Sequence, residues 1–442
     1  MCGIVGFVGE NRRARTFIYE GLTRLEYRGY DSAGIALETP TGIVLKKGRG
    51  RLNDLRHQLE ELPESVCGIG HTRWATHGKP TDENAHPHLD CRGQIAVVHN
   101  GIIENYRELR EELIARGHHF LSNTDSEIIP HLLEEYGGQD NLEEAVRQAE
   151  KRLKGAYAFL AVSARDSQKI VAVRRTSPLV IGLGTRENYL ASDFSAFLAD
   201  TQRALVIEDG EMAVVTPHHV QIYDQQQRPV IHPVTQVTWN IAQAERGGYA
   251  HFMLKEIMEQ PTVWQDALLG RIVDHRVTDE GLGLKPGELS SIRRVQIVAA
   301  GTAYHAGLVG KSLIERIARV PVDVAVASEF RYAQPVLEDG TWVMAISQSG
   351  ETADTLACVK RVKEMGFPTY AMTNTVGSTL AREADRVVYT QAGPEIAVAS
   401  TKAYTTQLLL LTLWALALAD RKGSGRPDLV DQLSELPDRG KK

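Results

Sequence analysis

The chain is predicted to be an α/β protein in two parts, because its pattern of strands and helices changes near residue 240. Before that point, β-branched and aromatic runs cluster with few helices between them, which is typical of a sandwich of sheets with helices outside. From Arg293 onward, strand–turn–helix units repeat. This alternation predicts a doubly wound parallel sheet.

The elements of the first part follow from periodicity and residue type. Apolar residues at helical spacing predict two helices, through Phe17, Ile18, Leu22 and Leu25 and then through Leu109, Leu113 and Ile114, the latter with Gly117 as its C-terminal cap. Strands are predicted at 156–162, 169–173, 212–215 and 220–223.

In the second part, strands are predicted at 295–299, 342–346, 368–372 and 386–389, and a helix at 352–365. Residues 241–290 are predicted to be a linker followed by an ordered connecting helix. The apolar run 408–419 is shorter than the roughly 20 residues that a membrane helix needs, so a buried core helix is expected there.

The composition of the 442 residues is that of an ordinary globular protein. The net charge is −6 and Lys and Arg are not clustered, which argues against nucleic acid or a membrane as a partner. The four cysteines form no Cys-x-x-Cys pair, which favours a reducing, cytoplasmic compartment. Glu10, Arg12 and Arg13 interrupt the apolar start, so no signal peptide is expected.

Cys2 is the first residue with a clear chemical meaning. If Met1 is removed, Cys2 carries both a free α-amine, with a pKa of about 8, and a thiol, with a pKa of about 8.5. The amine can then accept the thiol proton, and the thiolate is a nucleophile. The alternative interpretation is a cysteine that packs as a small buried hydrophobe.

Four further segments accompany Cys2: YRGYDSAG at 27–34, GHTRWATHG at 70–78, HNGIIEN at 99–105 and SNTDSE at 122–127. Together they resemble the N-terminal-nucleophile (Ntn) glutaminase domain of the class II glutamine amidotransferases. The resemblance spans residues 1–240 and implies an αββα sandwich in which Cys2 opens the side-chain amide of glutamine.

The resemblance also implies an oxyanion site. Opening an amide creates a tetrahedral oxyanion that needs fixed hydrogen-bond donors. These would be the side-chain amide of Asn100 and the backbone N–H of Gly101. An Asn-Gly pair alone favours a tight hairpin turn, and both interpretations can hold together.

The remaining glutamine contacts are implied in the same way. Arg73 would bind the α-carboxylate through its planar donors, and Asp125 would pair with the α-ammonium. Thr76 and His77 would line the site, and Trp74 would gate the released ammonia. From the residues alone, Arg73 could be a solvated arginine, Asp125 a helix N-cap and Trp74 a core residue.

One dense group of potential metal ligands occurs in the sequence: His71, His77, His86, His88, Asp90 and Cys91. Their spacing fits no zinc pattern. The sequence therefore predicts no metal and no cofactor.

The segment SQSGET at 347–352 lies between a predicted strand and a predicted helix. The N-terminus of a helix offers free N–H groups to a phosphate, and the hydroxyl groups add further donors. A P-loop lysine pattern does not occur, which argues against a nucleoside triphosphate. An ordinary Ser/Gly-rich helix cap is the alternative.

Three segments in order, AGTA at 300–303, SQSGET at 347–352 and EIAVASTK at 395–402, resemble the first sugar-isomerase (SIS) module of the glutamine–fructose-6-phosphate aminotransferase family. Residues 251–261 resemble its linker. The resemblance implies two sets of sugar-phosphate contacts: Ser347, Gln348, Ser349 and Thr352 at the phosphate, and Thr302, Val398 and Ser400 along the sugar.

These resemblances divide the chain into an amidotransferase domain at 1–240, a connecting segment at 241–290 and a first SIS domain at 291–435, with the second SIS domain expected to be absent. The implied reaction converts glutamine and fructose 6-phosphate into glutamate and glucosamine 6-phosphate, and isomerisation stays open because the family's base and lysine come from the absent part. The alternatives are a glutaminase-only fragment and a sugar-phosphate-binding regulatory module. A homodimer is expected if the missing part is supplied.

Overall fold

The computed structural model describes residues 2–26, 29–74, 79–237 and 248–441. The chain forms two compact units, Met1–Ile241 and Ala242–Lys442. Thr76 and His77, which the sequence predicts at the glutamine site, lie outside the described residues.

The first unit contains two large antiparallel sheets. Its strands are β1 Gly3–Gly9, β2 Ser32–Thr39, β3 Gly42–Arg49, β4 Cys67–Arg73, β5 His88–Leu89, β6 Ile95–Ile103, β7 Gly155–Ser163, β8 Ile170–Arg175, β9 Val180–Leu183, β10 Glu187–Ala191, β11 Arg203–Val206, β12 Glu211–Val215, β13 Val220–Tyr223, β14 Pro229–Val230 and β15 Thr235–Gln236. One sheet has the order β15-β11-β9-β10-β1-β4-β2-β3, and the other has the order β14-β13-β12-β8-β7-β6-β5.

The α-helices of this unit lie outside the sheets. They are α1 Ala14–Leu25, α2 Arg56–Glu60, α3 Tyr106–Ala115, α4 Ile128–Glu135 and α5 Leu142–Glu150, and Phe194–Ala196 forms a short 3-10 helix. Helix α1 packs on the β1 sheet, and α3, α4 and α5 pack on the β6 sheet.

Alternation along the strands produces the four layers. On β1, Ile4 and Val8 face the core between the sheets, while Val5 and Phe7 face the α1 layer. On β7, Leu160 likewise faces the core between the sheets. Successive side chains of a strand point to opposite faces, so strands buried on both sides need apolar residues at nearly every position. The predicted αββα sandwich is confirmed.

The predicted helices of this unit are present, with one error. The four apolar residues of α1 are buried as expected. Leu109 and Leu113 of α3 are also buried, but Ile114 is 52% exposed, so its assignment to the buried face was wrong. Gly117 has φ +97° and follows α3, as expected for a C-terminal cap.

In the described part of the second unit, α6 Phe252–Leu268 comes first, a small hairpin follows, and strands then alternate with helices. The elements after α6 are β16 Ile272–Val273, β17 Arg276–Val277, the 3-10 helix Glu280–Leu282, α7 Glu288–Ser291, β18 Arg294–Ala299, α8 Gly301–Ala318, β19 Val322–Val326, α9 Ala327–Phe330, β20 Thr341–Ser347, α10 Ala353–Glu364, β21 Thr369–Thr373, α11 Thr379–Glu383, β22 Arg386–Tyr389, α12 Lys402–Arg421, α13 Pro427–Ser434 and α14 Leu436–Gly440.

Strands β18 to β22 form a parallel sheet in the order β19-β18-β20-β21-β22. Helices α8 and α12 cover one face, and α9, α10 and α11 cover the other. The chain moves outward from β18 in both directions, so β18 and β20 flank the topological switch point. Ligands bind outside the carboxyl ends of strands at such a point. The predicted doubly wound sheet is confirmed.

Helix α12 contains the apolar run 408–419. Its length and composition would suffice to cross a membrane, and most of the helix is buried within the protein. Trp414 on this helix is fully buried and packs edge-to-face against Tyr370 of β21, with ring centroids 4.8 Å apart. The helix is thus a core element of the second unit, as predicted.

We predict that Gly101→Ala lowers the free energy of unfolding of the first unit by about 3 kcal/mol. Gly101 has φ +116°, and a Cβ there would lie 2.1 Å from the carbonyl oxygen of Ala156. Gly93→Ala is the matched control, because Gly93 also has positive φ but a Cβ there meets nothing within 4 Å. The control is expected to lose about 1 kcal/mol, and equal losses by urea denaturation would contradict the argument.

Candidate active site

Cys2 directly precedes β1, the central strand of its sheet. The antiparallel pairing of β1 with β4 sets Gly3 opposite Thr72, which brings Cys2 beside the end of β4. The backbone N–H of Trp74 donates a hydrogen bond to Cys2 Sγ at 3.2 Å. The thiol is therefore held in place by the residue that follows β4.

The environment of Cys2 affects its titration in two opposing ways. Burial raises the pKa of the Cys2 thiol, while the Trp74 N–H bond and the charge of Arg73 favour the thiolate. Burial dominates, so the pKa lies above its usual value. At neutral pH the thiol then needs a proton acceptor in order to become a nucleophile.

Asn100 and Gly101 lie within β6, where they pair with Ala158 and Tyr157 of β7. The hairpin-turn interpretation of this pair was therefore wrong. Asn100 Nδ2 donates a hydrogen bond to the carbonyl oxygen of Cys2 at 3.1 Å. This contact brings the predicted oxyanion donor next to the predicted nucleophile, although the two residues belong to different sheets.

His71 fixes the orientation of the Asn100 amide. Its Nε2 lies 2.9 Å from Asn100 Oδ1, and since that oxygen can only accept, the imidazole donates through Nε2–H. Burial lowers the pKa of His71 to about 3, so the ring is neutral at physiological pH. The sequence analysis did not assign this role to His71, because residue spacing does not show that β4 and β6 face each other.

His71 belongs to a buried group of four histidines with His86, His88 and His99. The ring centroid of His86 lies 4.3 Å from that of His71 and 4.6 Å from that of His88. Burial lowers the pKa of each ring below its usual value. His99 Nδ1 and Ser126 Oγ lie 2.7 Å apart, and His88 Nε2 and Thr124 Oγ1 lie 3.0 Å apart. The group thus connects the strands to the segment that carries Asp125.

Asp125 lies on that segment, before α4. Its Oδ2 accepts a hydrogen bond from the backbone N–H of Ile103 at 2.8 Å, at the end of β6. Helix α4 begins at Ile128, with Glu127 at the preceding position and no side-chain cap. The N-cap interpretation of Asp125 was therefore wrong, and its carboxylate is tied to the strand that carries Asn100.

Arg73 is the last residue of β4 and is 4% exposed, so it is not a solvated surface arginine. Burial lowers the pKa of its guanidinium, and the negative charges of Cys2 and Asp125 oppose that effect. Arg73 thus interacts electrostatically both with the Cys2 thiol and with the carboxylate of Asp125. Trp74 is 38% exposed and its ring meets Tyr30 edge-on at 5.2 Å, which differs from the core position considered for it.

In the second unit, the loop after β20 has the form expected of a phosphate site. β20 ends at Ser347 and α10 begins at Ala353, so residues 348–352 form the strand-to-helix turn. Ser347 Oγ accepts from the N–H of Gly350 at 3.1 Å and lies 2.9 Å from Thr352 Oγ1. The loop is therefore ordered by its own hydroxyl groups, at the carboxyl end of a strand that flanks the switch point.

Asn374 connects this loop to the segment before α12, a role that the sequence analysis missed. Its backbone N–H donates to the Gln348 carbonyl at 3.1 Å, and its Nδ2 donates to the Gly393 carbonyl at 2.7 Å. The contact with Gln348 joins two backbone groups, so it holds the turn whatever side chains are present. Glu395 then caps the start of α12 and accepts from Ser400 Oγ at 2.8 Å.

Of the other predicted sugar contacts, Thr302 and Val398 are exposed and Ser400 is half-buried. Thr302 is exposed in the first turn of α8, directly after β18. Val398 is 77% exposed. The structure therefore places Thr302 and the loop 347–352 at the two strands that flank the switch point, and it leaves Val398 and Ser400 on the segment before α12.

Comparison with known proteins assigns a family profile to each unit. A profile of the glutamine amidotransferase domain matches residues 71–199, and a profile of the SIS domain matches residues 288–418. A glutamine–fructose-6-phosphate aminotransferase (isomerizing) of Symbiobacterium thermophilum is 53% identical over 99% of this chain and 73% of its own length. A protein of the same name from Clostridium tetani is 48% identical over 100% of this chain and 73% of its own length.

A solved structure with sequence similarity is the C-terminal domain of glucosamine-fructose-6-phosphate aminotransferase from Francisella tularensis. It is 39% identical, covers 44% of this chain and 55% of its own chain, and has a TM-score of 0.42.

We predict that the buried histidines make the protein less stable as the pH falls below about 6.5, their usual pKa. The folded-state pKa is lowered, so the unfolded chain binds protons that the folded chain does not, and the free energy of unfolding falls toward acid pH. His86→Phe should reduce this slope by about 1.4 kcal/mol per pH unit, whereas His57→Ala, at an exposed position, should not. Urea denaturation between about pH 4.5 and about pH 7, on both sides of that usual pKa, measures both slopes, and an unchanged slope in His86→Phe would contradict the prediction.

Proposed function

The chain belongs to the glutamine–fructose-6-phosphate aminotransferase family, and on that premise we propose that it transfers the amide nitrogen of glutamine to fructose 6-phosphate. The products are glutamate and glucosamine 6-phosphate, an amino sugar. The observation that carries the proposal is the arrangement at Cys2. Its thiol accepts a hydrogen bond from the backbone N–H of Trp74, and its carbonyl accepts one from the side-chain amide of Asn100.

The first step is activation of the thiol. Once Met1 has been removed, Cys2 has a free α-amine, which accepts the thiol proton. The thiolate attacks the carboxamide carbon of glutamine, and a tetrahedral oxyanion forms. Burial raises the pKa of the Cys2 thiol, so the thiol loses its proton less readily. A base attached to the same residue can accept that proton.

The second step is stabilisation of the oxyanion. One hydrogen of Asn100 Nδ2 is donated to the Cys2 carbonyl, which leaves the other for the oxyanion. The backbone N–H of Gly101 is the second proposed donor. His71 acts as a positioning residue, because its bond to Oδ1 keeps the nitrogen of the amide directed toward Cys2. Collapse of this intermediate, with the proton on the α-ammonium of Cys2 transferred to the leaving nitrogen, expels ammonia and leaves a γ-glutamyl thioester, which water hydrolyses to glutamate and the free thiol.

Substrate selection follows from the charges beside the thiol. Arg73 binds the α-carboxylate of glutamine and Asp125 binds its α-ammonium. The bond from Ile103 occupies Asp125 Oδ2 and leaves Oδ1 for the substrate. We retain Thr76 and His77 as proposed contacts of the same substrate, and Trp74 as the proposed gate for ammonia.

The second unit is proposed to bind fructose 6-phosphate as the acceptor. Its phosphate would lie at Ser347, Gln348, Ser349 and Thr352. This proposal is supported by the position of the loop at the switch point and by the start of α10 behind it. Thr302, Val398 and Ser400 would line the sugar.

We further propose residues 1–240 as the amidotransferase domain, 241–290 as the connecting segment and 291–435 as the SIS domain. A cytoplasmic location is supported by the four free cysteines. A homodimer without nucleic acid or membrane partners is proposed on the family resemblance and on the net charge of −6.

Replacement of the nucleophile tests the proposal. Cys2→Ala is expected to abolish glutamate release from glutamine, while Cys67→Ala, which removes a buried thiol of β4, should retain it. Glutamate is measured enzymatically, and the mass of the intact chain shows whether Met1 has been removed. Unchanged glutamate release by Cys2→Ala, or full activity of a chain that retains Met1, would overturn the mechanism.

The same assay separates two activities if glucosamine 6-phosphate is measured as well. Its formation supports the complete transfer. Glutamate without glucosamine 6-phosphate would assign only the glutaminase step to this chain, which covers 73% of the length of the relatives named above.

We predict that Ser349→Ala weakens binding of fructose 6-phosphate by about 10-fold, because a hydrogen bond to a charged group is lost. Ser434→Ala is the matched control, since its hydroxyl bonds to the Val430 carbonyl of its own helix. Isothermal titration with fructose 6-phosphate measures both affinities. An equal loss in the control, or equally tight binding of unphosphorylated fructose, would contradict a phosphate site at Ser349.

A further inference from the structure

Four potential metal ligands meet in the first unit, away from Cys2 in the sequence. Cys91 follows β5, His118 follows α3, and His131 and Glu134 belong to α4. One ligand atom from each lies within 4.8 Å of every other. We propose that these four residues bind one zinc ion.

Four of the six distances between the ligand atoms are close to those of a tetrahedral site, and the other two are at most 4.8 Å. Cys91 Sγ lies 3.5 Å from His118 Nδ1 and 3.5 Å from His131 Nδ1. Glu134 Oε2 lies 3.2 Å and 3.8 Å from the same two nitrogens. Zinc bonds of about 2.3 Å to sulfur and about 2.0 Å to nitrogen or oxygen give tetrahedral edges of about 3.5 Å and about 3.3 Å. An ion fits among these atoms with little movement of the side chains.

The ligand types select zinc. Thiolate and imidazole together favour Zn²⁺ over Mg²⁺ or Ca²⁺, which prefer oxygen. The thiolate of Cys91 and the carboxylate of Glu134 balance the two positive charges of the ion, so the site is neutral when filled. Four protein ligands leave no open position, which is typical of a structural site rather than a catalytic one.

Both histidines have the outer contacts that zinc ligands commonly show. His118 directs Nδ1 into the cluster and donates through Nε2 to Glu135 Oε1 at 2.8 Å. His131 directs Nδ1 into the cluster, and its Nε2 lies 3.7 Å from Glu127 Oε1. The hydrogen bond to Glu135 fixes the tautomer of His118 that leaves Nδ1 free to bind a metal, while Glu127 lies near His131 Nε2 but beyond hydrogen-bond distance.

The other two ligands are oriented as well. The backbone N–H of His119 points to Cys91 Sγ at 3.4 Å, as it would toward a thiolate. Arg92 Nε lies 3.4 Å from Glu134 Oε1, and Glu134 Oε2, which accepts a hydrogen bond from the backbone N–H of Cys91 at 3.1 Å, is directed into the cluster. His131 and Glu134 are three residues apart on α4 and therefore share one face of the helix.

The position of the cluster gives the ion a structural role. The cluster joins three parts of the fold: the segment after β5, the segment after α3, and one face of α4. The segment 118–127 between α3 and α4 is also held by Glu127, which accepts from the N–H groups of Leu121 and Ser122. Asp125 lies on this segment, so the ion would limit the movement of a proposed glutamine contact.

The test uses the full-length chain, purified without a histidine tag or chelator. Mass spectrometry of the metal content is expected to find about one zinc per chain. Cobalt(II) chloride added to the metal-free protein should give the intense visible bands of tetrahedral cobalt and a thiolate-to-cobalt absorption in the near ultraviolet. Zinc chloride should then displace the cobalt and remove both signals.

Variants of the ligands and of matched neighbours decide the assignment. Cys91→Ser and Glu134→Gln should lose stoichiometric zinc, and Glu135→Gln should weaken zinc binding by about 10- to 100-fold through His118. His119→Ala, next to a ligand but exposed, and Cys2→Ala should keep both the zinc and the cobalt spectrum. Cys91 is exposed, so its replacement by serine is expected to leave the fold intact.

The proposal is overturned if the chain binds no zinc or cobalt, if Cys91→Ser binds them as the parent does, or if Cys2→Ala removes the thiolate absorption. In those cases the four side chains form only a network of hydrogen bonds and ion pairs. A rise in the KM for glutamine after zinc removal is expected only if the proposed function is also correct. Metal content and the cobalt spectrum do not depend on that function, so the zinc site and the proposed function can fail separately.

Discussion

The hydrogen bond from Asn100 Nδ2 to the carbonyl of Cys2 is the contact on which the proposed chemistry of the first unit depends. It joins β6, in one sheet, to the residue that precedes β1, in the other. Two packed sheets lie about 10 Å apart. The thickness of the apolar core between them therefore decides whether the side chain of Asn100 can reach the Cys2 carbonyl. A shift of β6 by one residue would turn Asn100 to the opposite face and move the donor away from the thiol. The site is therefore a product of sheet packing and register.

In the second unit, a different feature of the fold positions the candidate site. Its strands are parallel, so the turns after β18 and β20 lie at the same edge of the sheet without any special contact. What the parallel sheet does not supply is the shape of the turn. Gly350 has φ +65°, and a Cβ there would lie 2.1 Å from Ser378 Oγ, so the close approach of the loop 347–352 to the start of α11 requires glycine. Asn374 then fixes the loop from the neighbouring strand.

The sequence predicted most of the elements and both groups of site segments, because strand alternation and helical spacing are local properties. It failed where the deciding contact lies far along the chain. Asn100 and Gly101 have the composition of a turn, yet β7 extends β6 through them. Asp125 has the position of an N-cap, yet the N–H of Ile103 attracts its carboxylate to the strand. Residue spacing groups Cys91 only with potential ligands close to it in sequence. His118 and His131 are distant in sequence, and the fold brings them next to Cys91.

Burial acts on Cys2 in two ways that together support the proposal of a base on the same residue. Removing water strengthens the bonds that Asn100 can make to an oxyanion, but it also raises the pKa of the thiol. A proton acceptor is then needed within reach of the sulfur. His71 cannot be that acceptor, because its pKa of about 3 makes it a very weak base and its Nε2 proton is committed to Asn100. An α-amine attached to the same Cα is close to the sulfur by covalent geometry alone, and its pKa of about 8 suits proton transfer near neutral pH.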